Sequence, residues 1–133
     1  MAKLIFPKLS YTIMGILFQI HAKLGNQYQE KYYQRALESA LKEHDIKYKK
    51  ELKSDLFYNE VKIGKYFLDF LIEDKIILEL KTKPFFTGQD IRQVLAYLKA
   101  NNKRLGILAN FRTGSLTYKR IINNHYTPFI NNS

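Results

Sequence analysis

The chain has 133 residues, a length that suits one domain. Lys and Arg number 22 against 12 Asp and Glu, a formal charge of +10, and 46% of residues are hydrophobic, which excludes wholesale disorder. Cysteine is absent, which excludes disulfide scaffolds, thiolate nucleophiles, zinc fingers and iron–sulfur clusters. The basic excess suggests a polyanionic partner, with nucleic acid ahead of an anionic membrane surface.

Taken in chain order, Ser10 is placed to cap a first helix running to about Leu24, with Ile13, Ile16, Leu17, Ile20 and Leu24 at helical spacing. Gly25 suits the position just past its end. The apolar stretch from Ile13 to Ile20 is interrupted by Gln19 and is too short to cross a bilayer. The residues before Pro7 have no signal-peptide core, so a cytoplasmic protein without a membrane partner is expected. A second helix is expected over residues 28–43, with Tyr33, Leu37 and Leu41 as its stripe. Residues 46–58 alternate with period two, a half-buried strand with a bulge expected near Ser54 and Asp55. A second strand centres on residues 65–72, and a third covers 76–81 with apolar residues on both faces, which points to a central position. Thr87 and Asp90 form a capping-box pattern ahead of a third helix reaching about Ala100. Residues 105–109 and 116–122 complete the sheet. The order αα-βββ-α-β-(β) predicts a mixed sheet covered by helices. One domain is expected over 9–122, with loose terminal segments at 1–8 and 123–133.

The chemistry concentrates on the second and third strands. Glu79 and Lys81 are two apart and share a face, while Leu78 and Leu80 enter the other. Taken alone they read as an ordinary ion pair. Asp69 shifts that balance, because it interrupts the apolar run from Tyr66 to Ile72. A three-residue loop, Glu73-Asp74-Lys75, sets Ile72 against Ile76 and Asp69 against Glu79, whereas a two-residue loop separates the two acids. Opposed carboxylates repel without a cation. The donors are oxygens and the three histidines are scattered, so Mg2+ or Mn2+ fits better than zinc. His21 reads as a packed residue. Glu30 lies on the inward stripe of the second helix, where a carboxylate is unusual, although the helix dipole alone also favours an acid there. Gln93 lies outside the apolar stripe of its helix and, by pattern alone, is solvated.

The run from Leu24 to Leu37, containing Gly25, Glu30 and Tyr33, resembles the signature of the GxxExxY proteins of the PD-(D/E)XK nuclease-like superfamily. Asp69-Phe70-Leu71-Ile72, Ile76 to Lys81, Gln93 to Ala100 and Gly106 to Phe111 follow in the same order. Two positions depart from the pattern: the motif's own glycine is Gln27 here, and Leu68 precedes Asp69 where the superfamily has proline. The resemblance implies a restriction-endonuclease-like αβββαβ core of the α+β class, with an extra N-terminal helix. It also implies that Asp69, Glu79 and the Leu80 carbonyl bind a metal, that Lys81 acts on the attacking water, that Glu30 supports a metal or its water, and that Gln93 is the helix glutamine near the site.

These readings lead to the expectation of a metal-dependent nuclease acting on DNA ahead of RNA. Lys83, Arg92, Lys99, Arg112, Lys119 and Arg120 are candidates for phosphate contacts, and Phe85, Phe86 and Tyr97 are candidates for stacking on bases. A non-catalytic nucleic-acid-binding module and a basic structural protein are the competing accounts. The last explains the charge but not the inward acids.

Overall fold

The computed structural model describes residues 5–128. Helix α1 (Pro7–Leu24) begins four residues earlier than the Ser10 cap predicts, because Pro7 starts the helix with its ring already suited to the first turn. Ser10 is instead buried inside the helix, and its hydroxyl donates to the Ile5 carbonyl at 3.2 Å. Gly25, at a φ of 77°, ends the helix in the left-handed region and donates to the His21 carbonyl. Helix α2 (Glu30–Glu43) follows, and then strands β1 (Tyr48–Tyr58), β2 (Val61–Ile72) and β3 (Ile76–Lys81). Helix α3 (Gly88–Ala100) carries the Thr87–Asp90 capping box in both directions. Strands β4 (Leu105–Asn110) and β5 (Thr117–Ile122) complete the sheet.

The sheet order is β1-β2-β3-β4-β5. Only β3 and β4 are parallel, because α3 crosses over between them, and the other pairs are antiparallel. The helices cover both faces. On one face α1 and α2 bring Ile13, Leu17, Tyr33, Leu37 and Leu41 against Phe70, Ile72, Leu78, Leu80 and Ile107. On the other, α3 brings Val94, Tyr97 and Leu98 against Leu71, Ile77, Leu108 and Ile121. All six residues of β4 are buried, as a central parallel strand requires. This is the expected α+β fold with a mixed sheet, a restriction-endonuclease-like core and an added N-terminal helix.

Two expectations at the edges of the elements need correction. The bulge in β1 is not at Ser54 and Asp55: the register shifts between Leu56 and Phe57, and Glu51 takes a left-handed φ of 57°. The start of the C-terminal segment is not loose, since Asn123 is buried, its side-chain amide donates to the Leu98 and Lys103 carbonyls, and its backbone N–H donates to the Arg104 carbonyl. Pro7 and Lys8 likewise belong to α1. The rest of the expected loose ends, residues 1–4 and 129–133, lies outside the described residues. Among the described residues no helix is long and apolar enough to cross a membrane.

The contact between α3 and β4 depends on Gly106, where a side-chain methyl would run into Val94 Cγ1. Gly106→Ala is therefore expected to destabilise the fold by about 1–3 kcal/mol, the usual cost of overpacking, measured by denaturant unfolding.

Candidate active site

Residues 73–75 form the three-residue loop, and Ile72 pairs with Ile76, Leu71 with Ile77 and Phe70 with Leu78. One further step in this register sets Asp69 opposite Glu79, but the ladder stops before it. The carboxylates take over from the backbone at that point. Glu79 Oε1 accepts from the Asp69 backbone N–H at 2.9 Å, and Asp69 Oδ2 accepts from the Leu80 N–H at 2.7 Å. The two acids thus hold the strands together where backbone pairing ends.

The break extends into β1. Glu51, the residue that would face Asp69, is skipped in the β1–β2 ladder and holds its strained φ there. Alternation along β2 fails at the same point. Leu68 and Leu71, three apart, both pack beneath α3, while Phe70 and Ile72 pack beneath α1 and α2. Asp69 can therefore reach α2. Gln34 donates to Asp69 Oδ1 at 2.9 Å and to Glu30 Oε2 at 3.3 Å, and so links the two acids.

Lys81 supplies the nearest cation, with Nζ 3.5 Å from Glu79 Oε2 and 3.9 Å from Asp90 Oδ1. Asp90 is also held by Lys83 Nζ at 2.7 Å and by the Thr87 N–H at 2.8 Å. The buried Asn110 at the end of β4 fixes the exit from β3: it accepts from the Lys83 N–H at 3.2 Å and donates to the Lys83 carbonyl at 2.6 Å.

Charge balance follows from this geometry. Glu79 is only 4% exposed, and burial followed by the nearby Asp69 charge pushes its carboxyl up to about 8. Burial likewise raises Asp69, and burial then Asp69 raise Glu30. Burial disfavours the Lys81 ammonium, but Glu79, Glu30 and Asp90 outweigh it and hold its pKa above the ordinary lysine value. Asp90 moves the other way: burial opposes its charge, but bonds from Lys83 and Thr87 bring it below the usual range. Full ionisation of Glu30, Asp69 and Glu79 would thus place more buried negative charge at the site than Lys81 neutralises, and without a cation the carboxyls hold their protons instead. The site's oxygen donors suit a hard divalent cation. Among the described residues, however, no three His, Asp or Glu side chains converge to hold an ion by themselves.

The fold therefore brings Glu30, Asp69, Glu79 and Lys81 into one electrostatic group. Gln93 stands one turn beyond Asp90 on α3, and its side chain makes no hydrogen bond to these groups. Its backbone carbonyl accepts from the Tyr66 hydroxyl at 3.1 Å, and the glutamine bonded to Asp69 is Gln34, from the other face of the sheet. The signal was present in the sequence, since Gln34 is one helical turn beyond Glu30. His21 is packed as expected, bonded to the Thr113 carbonyl and set beside Phe111. Tyr97 is 7% exposed within the core beneath α3, which closes its ring face to a base and overturns the stacking expectation for that residue, whereas Phe85 is exposed and Phe86 packs partly against the same core. Of the basic candidates, Arg92, Lys99, Arg112 and Lys119 are exposed, whereas Lys83 is tied to Asp90 and Arg120 donates to the Ile5 carbonyl. Lys119 shares a cross-strand row with Leu108 and Glu79.

A family model described as PD-(D/E)XK nuclease superfamily matches residues 7–121. No curated protein and no solved structure matches the chain.

The raised carboxyls set a pH dependence. Groups that titrate higher in the folded than in the unfolded chain favour folding while protonated, and that contribution is lost as pH rises through about 8. The melting temperature of metal-free protein is expected to fall between about pH 5 and about pH 9, and Glu79→Gln is expected to flatten the fall. Thermal melts across that range check this.

Proposed function

The chain belongs to the PD-(D/E)XK nuclease superfamily, and from that premise we propose that it hydrolyses phosphodiester bonds of nucleic acid, DNA ahead of RNA, in the cytoplasm. The observation that carries this reading is the Asp69–Glu79 pair, two buried carboxylates crossing a strand break beside a lysine. Mg2+ or Mn2+ would be held by Asp69, Glu79 and the Leu80 carbonyl, and when bound it supplies Lewis acidity for the phosphoryl group and a lowered pKa for water. The remaining work falls to the chain. Lys81, whose pKa lies above the ordinary value, acts as a cation toward the charge that develops on phosphorus-bound oxygens rather than as a base. Glu30 and Gln34 orient Asp69 from α2. The exposed Arg92, Lys99, Arg112 and Lys119, and the half-buried Lys83 and Arg120, offer positive charge to the backbone of the substrate.

The finer assignment to the GxxExxY proteins is part of this proposal, as is one catalytic unit over residues 9–122. The motif supports it through packing: the Tyr33 hydroxyl donates to the Gly25 carbonyl, and the Tyr33 ring stacks on Phe111 with centroids 4.3 Å apart. The competing reading, a non-catalytic nucleic-acid-binding module on the same fold, draws on one observation, the want of a third converging acid among the described residues.

Plasmid cleavage with Mg2+, Mn2+ or chelator separates the two. Cleavage is expected only with metal. Asp69→Asn, Glu79→Gln and Lys81→Ala should each lower it by roughly 100-fold or more. Gln34→Ala, which removes only an orienting bond, should lower it roughly 10–100-fold. Binding without cleavage of duplex, single-stranded and branched substrates would favour the binding module. Either metal is also expected to raise the melting temperature of wild type but not of Asp69→Asn/Glu79→Gln.

A further inference from the structure

Strands β1 and β2 are the longest in the sheet, yet β3 pairs with β2 only from Phe70 to Ile72. The hairpin therefore runs past the rest of the sheet. Near its base one face is covered by α3, through Leu52, Tyr66 and Leu68. Farther out, and on the opposite face from Phe67 onward, the covering stops. Val61, Ile63 and Phe67 are each more than half exposed, as are Phe57 and Tyr58 on the other strand. Such a run of exposed apolar side chains is unusual on a free surface, and a two-stranded ribbon alone is marginally stable in water.

The residues are ordered along the ribbon. Beyond Asp69, alternate positions of β2 present Phe67, Lys65, Ile63 and Val61 on one face. Lys53 lies opposite Phe67, Asp55 opposite Lys65, and Tyr58 opposite Val61. The register shift at Leu56 and Phe57 places Phe57 opposite Lys62, on the other face. Apolar and basic side chains thus occur on both faces of the tip. Six lysines stand against three acids between Lys47 and Phe67. Asp55 is shared by Lys53 at 3.6 Å and Lys62 at 3.2 Å, which leaves the excess positive.

We propose that the β1–β2 hairpin is a groove-binding arm that grips duplex nucleic acid beside the cleavage site. The inference rests on the nuclease reading of Asp69 and Glu79 and extends it to the form of the substrate. A major groove is about 12 Å wide and admits a two-stranded ribbon. It encloses the ribbon from both sides, whereas a stacking platform or a second copy of the chain would cover one face. Phosphates line both walls of a groove, and lysines stand on both faces of the arm. From Val61 to Phe67 the ribbon spans about 20 Å at roughly 3.4 Å per residue, the rise of about six base pairs at 3.4 Å each. It is continuous with Asp69 along the same strand.

Two exposed double variants test the arm, Lys53→Glu/Lys65→Glu and Val61→Ser/Ile63→Ser. Binding is read by fluorescence anisotropy on a long duplex and on its single strand, in metal-free buffer. Each variant is expected to weaken duplex binding roughly tenfold or more, with single-strand binding little changed, and the lysine variant should lower the slope of log K against log salt by about two. Both variants should still cleave a duplex too short to reach the arm. Wild-type duplex affinity in both variants, with cleavage intact, would overturn the arm and leave the nuclease reading standing. Wild type that binds no nucleic acid would overturn both. Arm-dependent preference for the single strand would overturn the groove assignment. Sedimentation showing a wild-type dimer that Val61→Ser/Ile63→Ser dissolves, with duplex affinity unchanged, would assign the face to a second copy and overturn the proposal.

Discussion

The crossed bonding of Asp69 and Glu79 is the constraint on which the site depends. Strands β2 and β3 would ordinarily continue their backbone ladder past Phe70 and Leu78. Each acid instead reaches across and accepts an N–H from the other strand. The carboxylates therefore have two duties. They satisfy backbone donors that a separated strand pair leaves without partners, and they concentrate acidic groups at the point of separation. Such an arrangement is costly to hold, because both groups are buried and face one another. A cation relieves that cost, which is why the same geometry that strains the metal-free protein suits an oxygen-ligand ion.

The surrounding network limits how far the two acids can relax. Gln34 fixes Asp69 from α2, and Lys81 answers Glu79 from β3. Behind Lys81, Asp90 belongs at once to the cap of α3 and to the ion pairs of Lys81 and Lys83. The start of α3 is thereby tied to the charged end of β3. Asn110 closes the same corner from β4. The site also lies where the sheet changes character: β3 is antiparallel to β2 on one side and parallel to β4 on the other. The crossover through α3 leaves space outside the carboxyl end of β3, where open sheets that mix helices and strands commonly place their ligands.

Much of this was legible in the residues. The three-residue loop followed from keeping Asp69 and Glu79 opposed, and the observed register agrees. Thr87 and Asp90 announced the third helix, and Gly25 announced the end of the first. Ser10 misled because a serine ahead of an apolar stripe looks the same whether it caps a helix or is buried within it, and Pro7 decided between the two. Tyr97 misled for a different reason. An aromatic residue on a helix looks the same in sequence whether it faces a ligand or the sheet, and α3 packs Tyr97 into the core against the sheet.

The sequence by itself determined the order of elements, the opposition of the two acids and the oxygen character of the site. These depend on local periodicity, loop length and composition, which are written along the chain. Only the tertiary structure decided that the ladder would stop at Phe70, that Glu51 would bear the strain, and that a glutamine from α2 would complete the pair. Those outcomes depend on how three strands and a distant helix share space at one point, and a one-dimensional pattern does not encode that competition. The same division applies to the charge. The excess of ten positive charges is plain in the composition, but its meaning depends on a few acids that the fold gathers where they repel one another.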